Sequence, residues 1–245
     1  MKATVIGHWG GYPKKQEASS GYLLEHDGFK LLVDCGSGVL SHLPEDVQPE
    51  QLDAVVLSHY HADHIADIGV LQHACLIQKH LGNVPKLPLP IYGHTKQVQE
   101  FQKLTYKDLT KGIPYNENEP VIVGPFTITF CETIHPVPCY AMRIEAAGKV
   151  LVYTADTAYH PRLASFAKEA DVLLCECNFY AGMNGAKAGH MTSTDAGRMA
   201  REAQVKQLVL THLPHFGDIQ QLLKEAGSIY EGPIMLAEKG LTIHM

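Results

Sequence analysis

The feature that most constrains this chain is a loop dense in histidine and aspartate that follows an apolar stretch. Residues 52–57 read Leu-Asp-Ala-Val-Val-Leu, and residues 58–64 read Ser-His-Tyr-His-Ala-Asp-His. The apolar stretch is typical of a buried strand, whereas so many imidazoles and carboxylates are a poor way to build a core. Imidazole and carboxylate ligands suit zinc, iron and manganese. The spacing predicts that His59 and His61 turn toward one cation. Asp63 and His64, one step further round the turn, reach a second.

A structural role is the alternative interpretation of these residues. The chain has 15 histidines, so an isolated one carries little information, and His42, His73 and His80 are most simply surface or helix residues. A structural role for the run 58–64 would require a polar cluster that has no evident partner. The run therefore favours metal binding.

Length, charge and cysteine usage limit the classes of protein to which this chain could belong. A chain of 245 residues with 45% hydrophobic and 19% charged residues is an ordinary globular protein of one domain, or at most two. The net charge of −6 predicts no extended nucleic-acid-binding surface, although it is compatible with a small local basic patch. No apolar run reaches the roughly 20 residues of a membrane span, and no signal-like segment precedes the first strand. Six cysteines without a C-x-x-C pair predict reduced thiols in a cytoplasmic protein.

The hydrophobic pattern predicts an α/β fold. Thirteen short apolar runs, between 3–6 and 241–244, have strand character, and turn signals separate most of them. Helical spacing occurs at 67–80, 96–104, 162–168, 193–203 and 218–229, with Thr192 or Ser193 as N-cap of the fourth. The predicted strands first follow one another as hairpins and then alternate with helices, and this order repeats in the second half of the chain. We expect an αββα sandwich, with two packed mixed sheets, as a single domain over 1–245.

One segment of the chain is less regular than the rest. Residues 82–120 contain Pro85, Pro88, Pro90 and Pro114 and several tyrosines. We expect this segment to cover the site as a lid or rim.

Three further ligand-type residues follow predicted strands. His135 precedes a proline, which favours an extended backbone and fixes the loop that presents the side chain. Asp156 ends the buried run 150–155, where a carboxylate could bridge two cations. His212 follows the run 208–211 in the same way. Together with the run 58–64, these residues predict a metal-binding rim on one edge of the sandwich.

This arrangement resembles the metallo-β-lactamase superfamily, whose central signature is the H-x-H-x-D-H run. The resemblance extends from Ile6-Gly7 through residues 34–38, Asp-Cys-Gly-Ser-Gly, to Thr211-His212. It implies two divalent metal ions, with Zn²⁺ as the leading choice and Mn²⁺ or Fe²⁺ as alternatives. The implied ligands are His59, His61 and His135 for the first ion, Asp63, His64 and His212 for the second, and Asp156 as the bridge. It also implies that Asp34 orders the ligand loop through hydrogen bonds.

Within the superfamily, the chain is most similar to the ribonuclease Z group of phosphodiesterases. The matching segments include His-Pro-Val-Pro-Cys-Tyr at 135–140 and Tyr-Thr-Ala-Asp-Thr at 153–157. Cys-Glu-Cys-Asn-Phe at 175–179 resembles the family's H-E-A-T-F, and Gly-His-Met-Thr at 189–192 resembles its G-H-S-T. The resemblance implies that Glu176 orients His190 as general acid. The alternative is that Glu176 pairs at a strand end and His190 only precedes a helix cap.

Two departures narrow the expected substrate. Asp156 stands where true β-lactamases use a cysteine, which disfavours antibiotic hydrolysis. Only 20 residues separate His135 from Asp156, where ribonuclease Z carries a long tRNA-binding arm. The missing arm and the acidic charge disfavour tRNA processing and leave a small molecule or short nucleotide as substrate.

The sequence thus predicts a binuclear phosphodiesterase in which a metal-bridging hydroxide, oriented by Asp63 and Asp156, attacks the substrate. The same scaffold also fits a lactonase or thioesterase, and a binding or redox protein is a third class. The family resemblance allows a homodimer, and no membrane partner is expected. His94, His160 and His215 are secondary candidates for the pocket wall, and an exposed turn histidine is the favoured interpretation of each.

Overall fold

The computed structural model describes residues 1–83 and 86–245. These residues form two compact units, each containing one seven-stranded mixed sheet. The first unit comprises residues 1–116 and 238–244, and the second comprises residues 117–237 with Met245. The predicted class of two mixed β-sheets with helices is confirmed.

The sheet of the first unit has a hairpin half and a parallel half. Its strands are β1 (Lys2–Gly7), β2 (Gly21–His26), β3 (Phe29–Val33), β4 (Ala54–Val56), β5 (Leu89–His94), β6 (Thr110–Tyr115) and β14 (Thr242–His244). They lie in the order β14-β1-β2-β3-β4-β5-β6; the first three pairings are antiparallel and the last three parallel. The unit also contains α1 (Ala62–Ile65), α2 (Ile68–Leu81), α3 (Val98–Lys103) and two 3-10 helices, Leu40–His42 and Pro49–Gln51.

The sheet of the second unit is divided in the same way. Its strands are β7 (Val121–Val123), β8 (Phe126–Glu132), β9 (Tyr140–Ala146), β10 (Lys149–Tyr153), β11 (Val172–Glu176), β12 (Leu208–Thr211) and β13 (Ile234–Leu236). Pairings are antiparallel from β7 to β10 and parallel from β10 to β13. The helices are α4 (Pro161–Phe166), α5 (Ser193–Ala203) and α6 (Ile219–Gly227), with a 3-10 helix at Ala186–Ala188.

Local sequence explains both the turns and the buried strands. The β2–β3 turn at Asp27-Gly28 and the β9–β10 turn at Ala147-Gly148 have positive φ at both central residues. This conformation matches the twist of two-residue hairpins, and the glycine adopts it without a steric cost. The central strands β4, β11 and β12 are buried throughout, which explains why they read as continuous apolar runs rather than as alternating ones.

The predicted helices are all present, with ends shifted by a few residues at most. Thr192 caps α5: its side chain accepts a hydrogen bond from the Asp195 backbone, and Asp195 accepts one in return from the Thr192 N–H. One strand, β6, was not predicted. It contains Gly112 and Pro114, both unfavourable in strands, and Pro114 is tolerated because β6 is an edge strand.

The segment 82–120 contains regular structure. Val84 and Pro85 lie outside the described residues, and the rest includes β5, α3 and β6. Its role as a lid or rim stays a prediction.

Strand direction brings the ligand-type residues of each unit to one sheet edge. In the first unit, Asp34 follows β3 and the run 58–64 follows β4, and these two strands are parallel. In the second unit, Asp156 and His212 follow strands of the parallel half, and Glu176 ends another. The carboxyl ends of parallel strands meet at one edge, so the sequence pattern becomes a spatial cluster.

The backbone turns sharply at three of these strand ends. Asp34, Ala155 and His212 have φ of 58°, 50° and 51°, in the left-handed region that most side chains avoid. Such strained residues concentrate at functional sites.

All six cysteines are free and buried, as the reduced-thiol interpretation requires. Burial raises the pKa of the Cys175 and Cys177 thiols, so these side chains behave as small core hydrophobes. Within the two described ranges, no helix is long and apolar enough to cross a bilayer.

Candidate metal centre

The first unit contributes the dense ligand loop. His59 and His64 are fully buried and Asp63 is nearly so, whereas His61 is half-buried. His59 and His61 precede α1, and Asp63 and His64 lie within its single turn. The structure therefore places the four candidate ligands of the sequence run on one short segment of the chain.

His59 and His61 are arranged as two ligands of one cation. Nε2 of His59 lies 3.1 Å from Nδ1 of His61, and Ser58 Oγ lies 3.0 Å from the other ring nitrogen of His59. Two nitrogens that bind one tetrahedral zinc ion at about 2.0–2.1 Å are separated by roughly 3.3 Å. The pair therefore fits a shared ion.

Asp34 orders this loop in the way that the sequence predicts. One carboxylate oxygen accepts hydrogen bonds from Ser58 Oγ at 2.8 Å and His64 Nδ1 at 2.7 Å, and the other accepts from the Ser58 N–H at 2.7 Å. Because Nδ1 of His64 donates to a carboxylate, Nε2 is the nitrogen available to a metal. That Nε2 lies 3.5 Å from Asp63 Oδ2.

Asp63 has a backbone partner that the sequence did not reveal. The Gly11 N–H donates to Asp63 Oδ2 at 2.7 Å, across 52 positions of the chain. Gly11 has a φ of +75°, which glycine adopts readily, so the glycine pair Gly10-Gly11 after β1 was the available signal.

The second unit contributes His135, Asp156 and His212. Asp156 is buried, and its two oxygens face different histidines: Oδ2 lies 3.9 Å from His135 Nε2, and Oδ1 lies 3.4 Å from His212 Nε2. Nδ1 of His135 lies 3.1 Å from the Gly189 carbonyl oxygen, a bond that directs Nε2 toward Asp156. This is the geometry expected of a carboxylate that bridges two cations.

Glu176 and His190 form a hydrogen-bonded pair. His190 Nδ1 lies 2.9 Å from Glu176 Oε1, which also accepts the Thr157 N–H at 2.6 Å, and Oε2 accepts the Met191 N–H at 3.1 Å. Burial raises the pKa of the Glu176 carboxyl group, and the neighbouring His190 opposes that rise. Three hydrogen-bond donors occupy this carboxylate, and the bond to Nδ1 fixes the orientation of the His190 ring.

His190 lies beside both candidate ligand histidines of its unit. Its ring stacks on His212 with centroids 5.3 Å apart and lies edge-on to His135 at the same distance. Because Nδ1 is bonded to Glu176, any proton transfer to a substrate would use Nε2 of His190.

The three secondary candidates, His94, His160 and His215, are each at least partly buried. His94 was interpreted as an exposed turn residue, which is wrong: it is 1% exposed at the end of β5, with its ring 4.5 Å from Tyr60. The Tyr60 hydroxyl donates to the His94 carbonyl at 2.7 Å, so this contact supports the ligand loop. His160 is the N-cap of α4 and is half-buried, as is His215.

The donor set of each unit fits divalent cations. The first unit offers three imidazoles and one carboxylate, and the second offers two imidazoles and one carboxylate. Nitrogen and oxygen donors of this kind match Zn²⁺, Mn²⁺ and Fe²⁺. Buried carboxylates are costly without a counter-charge, which a cation would supply.

Comparison with known proteins agrees with this geometry. Residues 30–213 match the family described as "Beta-lactamase superfamily domain". The probable metallo-hydrolase YhfI of Bacillus subtilis is 55% identical over 240 residues, which cover 98% of each chain. A crystal structure of YhfI, a metallo-beta-lactamase fold protein, superposes with a TM-score of 0.97 at 53% identity and covers 99% of this chain and 98% of that chain.

More distant similarities include a ribonuclease Z and a diphosphatase. Ribonuclease Z of Methanopyrus kandleri is 26% identical over 276 residues, covering 98% of this chain and 96% of that protein. A diphosphatase of the PhnP family has a TM-score of 0.78 at 17% identity, covering 100% of this chain and 97% of that one, which shows likeness of fold alone. The fold and family predicted from the sequence are confirmed: the chain belongs to the β-lactamase superfamily and has ribonuclease Z among its relatives.

Proposed function

We propose that the chain is a metal-dependent hydrolase that cleaves small phosphodiesters or short nucleotides. The observation that carries this proposal is the Glu176–His190 pair, whose imidazole adjoins His135 and His212. A buried carboxylate that orients an imidazole beside metal ligands is suited to deliver a proton. Cleavage of an alkyl phosphodiester requires such a proton because the departing alkoxide is strongly basic.

The proposed cofactor is a pair of divalent cations, with Zn²⁺ leading and Mn²⁺ or Fe²⁺ as alternatives. Their proposed ligands are His59, His61 and His135 for one, Asp63, His64 and His212 for the other, and Asp156 for both. When bound, such a pair lowers the pKa of a bound water molecule and polarises the phosphoryl group. Two observations support this assignment. Nε2 of His59 lies 3.1 Å from Nδ1 of His61 in the first unit, and the two oxygens of Asp156 face different histidines in the second unit.

The remaining steps fall to side chains of this chain. Asp63 and Asp156 would orient the attacking water molecule, and Asp34 would keep His64 in its ligating tautomer. His190 would pass the proton on Nε2 to the leaving oxygen while Nδ1 stays bonded to Glu176. Glu176 would stabilise the positively charged ring before this transfer, through the bond that also fixes its orientation.

The relatives support the phosphodiester class. YhfI is described as a probable metallo-hydrolase, ribonuclease Z acts on the phosphodiester bonds of RNA by its name, and the PhnP-family neighbour is named as a diphosphatase. A small substrate is favoured because residues 136–155 form a loop and the tight β9–β10 hairpin, which leaves no chain for an RNA-binding arm in this segment.

The test is turnover of bis(p-nitrophenyl) phosphate, a lactone and a thioester by metal-loaded protein, with a chelated control. We expect metal-dependent cleavage of the phosphodiester. His190→Ala should abolish most turnover of alkyl phosphodiesters, and the exposed His244→Ala is the matched control. Turnover confined to the lactone or the thioester would move the protein to the carbon-ester class. Turnover of alkyl phosphodiesters that His190→Ala leaves intact would exclude His190 as the general acid.

A further inference from the structure

An aromatic cluster lies next to the proposed general acid within the second unit. We define it as Phe179, Tyr180 and Phe216. The Phe179 ring centroid is 6.1 Å from that of His190, and Phe216 lies 6.3 Å from Phe179 and 5.7 Å from Tyr180. The cluster therefore extends outward from the imidazole that would protonate the leaving oxygen.

Phe216 is the exposed member of this cluster. It is 45% exposed, whereas Phe179 is half-buried and Tyr180 is buried. An exposed phenyl ring that continues a packed aromatic cluster offers a flat apolar surface to a ligand.

The backbone holds both phenylalanines firmly. The Phe179 N–H donates to the Met191 carbonyl at 3.2 Å, and the Phe179 carbonyl accepts the Ser193 N–H at 2.8 Å; both partners follow His190 within three residues of the chain. The Tyr180 hydroxyl donates to the Phe216 carbonyl at 2.9 Å. A surface fixed in this way loses little entropy when a ligand packs on it.

Gly217 allows this contact. A Cβ at this position would lie 2.6 Å from ring atoms of Tyr180, and φ is +74°. The loop between β12 and α6 can therefore adopt this path only with glycine next to Phe216.

We propose that this aromatic cluster binds the leaving group of the substrate and that Phe216 stacks on a nucleobase carried by that group. The inference rests on the proposed function, because the general acid defines the leaving-group side of the site. A group whose oxygen receives the proton from His190 must lie beside His190, and Phe179 and Phe216 are the aromatic rings on that path. Stacking tolerates any base, so we expect a preference for bases over no base rather than for one base.

The experiment compares two dinucleotides with the same 5′-deoxyribosyl leaving oxygen. One carries adenine on the leaving nucleoside and the other is abasic there, so leaving-group chemistry is matched. We expect the metal-loaded wild type to favour the adenine substrate, and Phe216→Ala to reduce kcat/KM for it roughly ten-fold. Turnover of the abasic substrate should change less than two-fold. Phe216→Tyr should retain the preference, and Ile122→Ala, which truncates another exposed apolar side chain of this unit, should change neither.

A binding measurement separates this inference from the proposed function. Calorimetric titration with deoxyadenosine 5′-monophosphate and with deoxyribose 5-phosphate measures the contribution of the base to affinity, independently of which bond the enzyme cleaves. The inference is supported if the wild type binds the nucleotide more tightly than the sugar phosphate and Phe216→Ala loses this difference. This holds even if no phosphodiester is hydrolysed. Equal affinity for the two ligands, or a base preference that survives Phe216→Ala, would overturn it. Absence of all phosphodiester turnover would instead overturn the proposed function.

Discussion

His190 Nδ1 lies 2.9 Å from Oε1 of Glu176, a carboxylate that also accepts two backbone N–H groups. This pair should govern proton delivery without affecting metal content. Replacing Glu176 by glutamine leaves one amide oxygen for three donors and turns an NH₂ group toward one of them. We expect kcat for an alkyl phosphodiester to fall about 10²-fold.

Leaving-group dependence checks this prediction. The p-nitrophenolate anion is stable without protonation, so Glu176→Gln should slow bis(p-nitrophenyl) phosphate much less than an alkyl diester. Metal content by elemental analysis should equal that of the wild type. An equal loss on both substrates would show that Glu176 acts on something other than leaving-group protonation.

Asp156 faces one histidine with each carboxylate oxygen, so a substitution there should disturb two ions at once. Asp156→Asn removes the negative charge and replaces one oxygen by a poor ligand. We expect loss of one metal equivalent and of turnover, measured by elemental analysis and by kcat. The exposed Asp46→Asn is the matched control. Full turnover with two metals bound would contradict the bridging assignment.

Asp34 is fully buried and accepts three hydrogen bonds from Ser58 and His64. Asp34→Ala leaves these donors buried without an acceptor, which should lower the free energy of unfolding by about 3 kcal/mol. It should also weaken metal binding by about 10- to 100-fold, because His64 is no longer held in its ligating tautomer. Urea unfolding in chelator and metal titration measure the two effects separately. Unchanged metal affinity in a folded variant would exclude the orienting role.

His8 predicts a pH dependence of stability. Burial, assisted by the charge of Lys14, lowers the pKa of His8 to about 4. Between pH 6.5 and 4, the unfolded protein therefore binds a proton that the folded protein does not. The contribution of His8 to the free energy of unfolding is complete above pH 6.5 and is lost as the pH falls toward 4. His8→Gln should flatten the slope in this range by up to about 1.4 kcal/mol per pH unit.

Unfolding of wild type and variant in the same chelating buffer isolates this effect from the metal ligands. His244→Gln replaces an exposed histidine and is the control. If His8→Gln and wild type show equal slopes between pH 4 and 6.5, His8 is not the group responsible.

The sequence predicted those features that depend on local pattern. Ligand residues at strand ends were predictable because parallel strands bring their carboxyl ends together, and α5 was predictable from its cap and period. The strand β6 was missed because Gly112 and Pro114 disfavour strands, and only its edge position tolerates them.

Contacts between distant segments were beyond the sequence. The Gly11 bond to Asp63 and the two backbone bonds to Glu176 depend on how separate loops meet. The burial of His94 likewise reflects packing against Tyr60, which follows from strand order rather than from local composition. The single-domain organisation, the cytoplasmic location and the homodimer stay predictions.

Each sheet separates its hairpin turns from its ligand-bearing edge. The Asp27-Gly28 and Ala147-Gly148 turns are exposed and precede β3 and β10, whereas the ligand-type residues follow the carboxyl ends of these strands. Extra residues inserted at either turn would therefore enter at the end of the strand remote from Asp34 and Asp156. These two turns are the natural places to fuse an affinity tag or a binding peptide, and equally the places where a lineage could acquire a new arm while its chemistry stays intact.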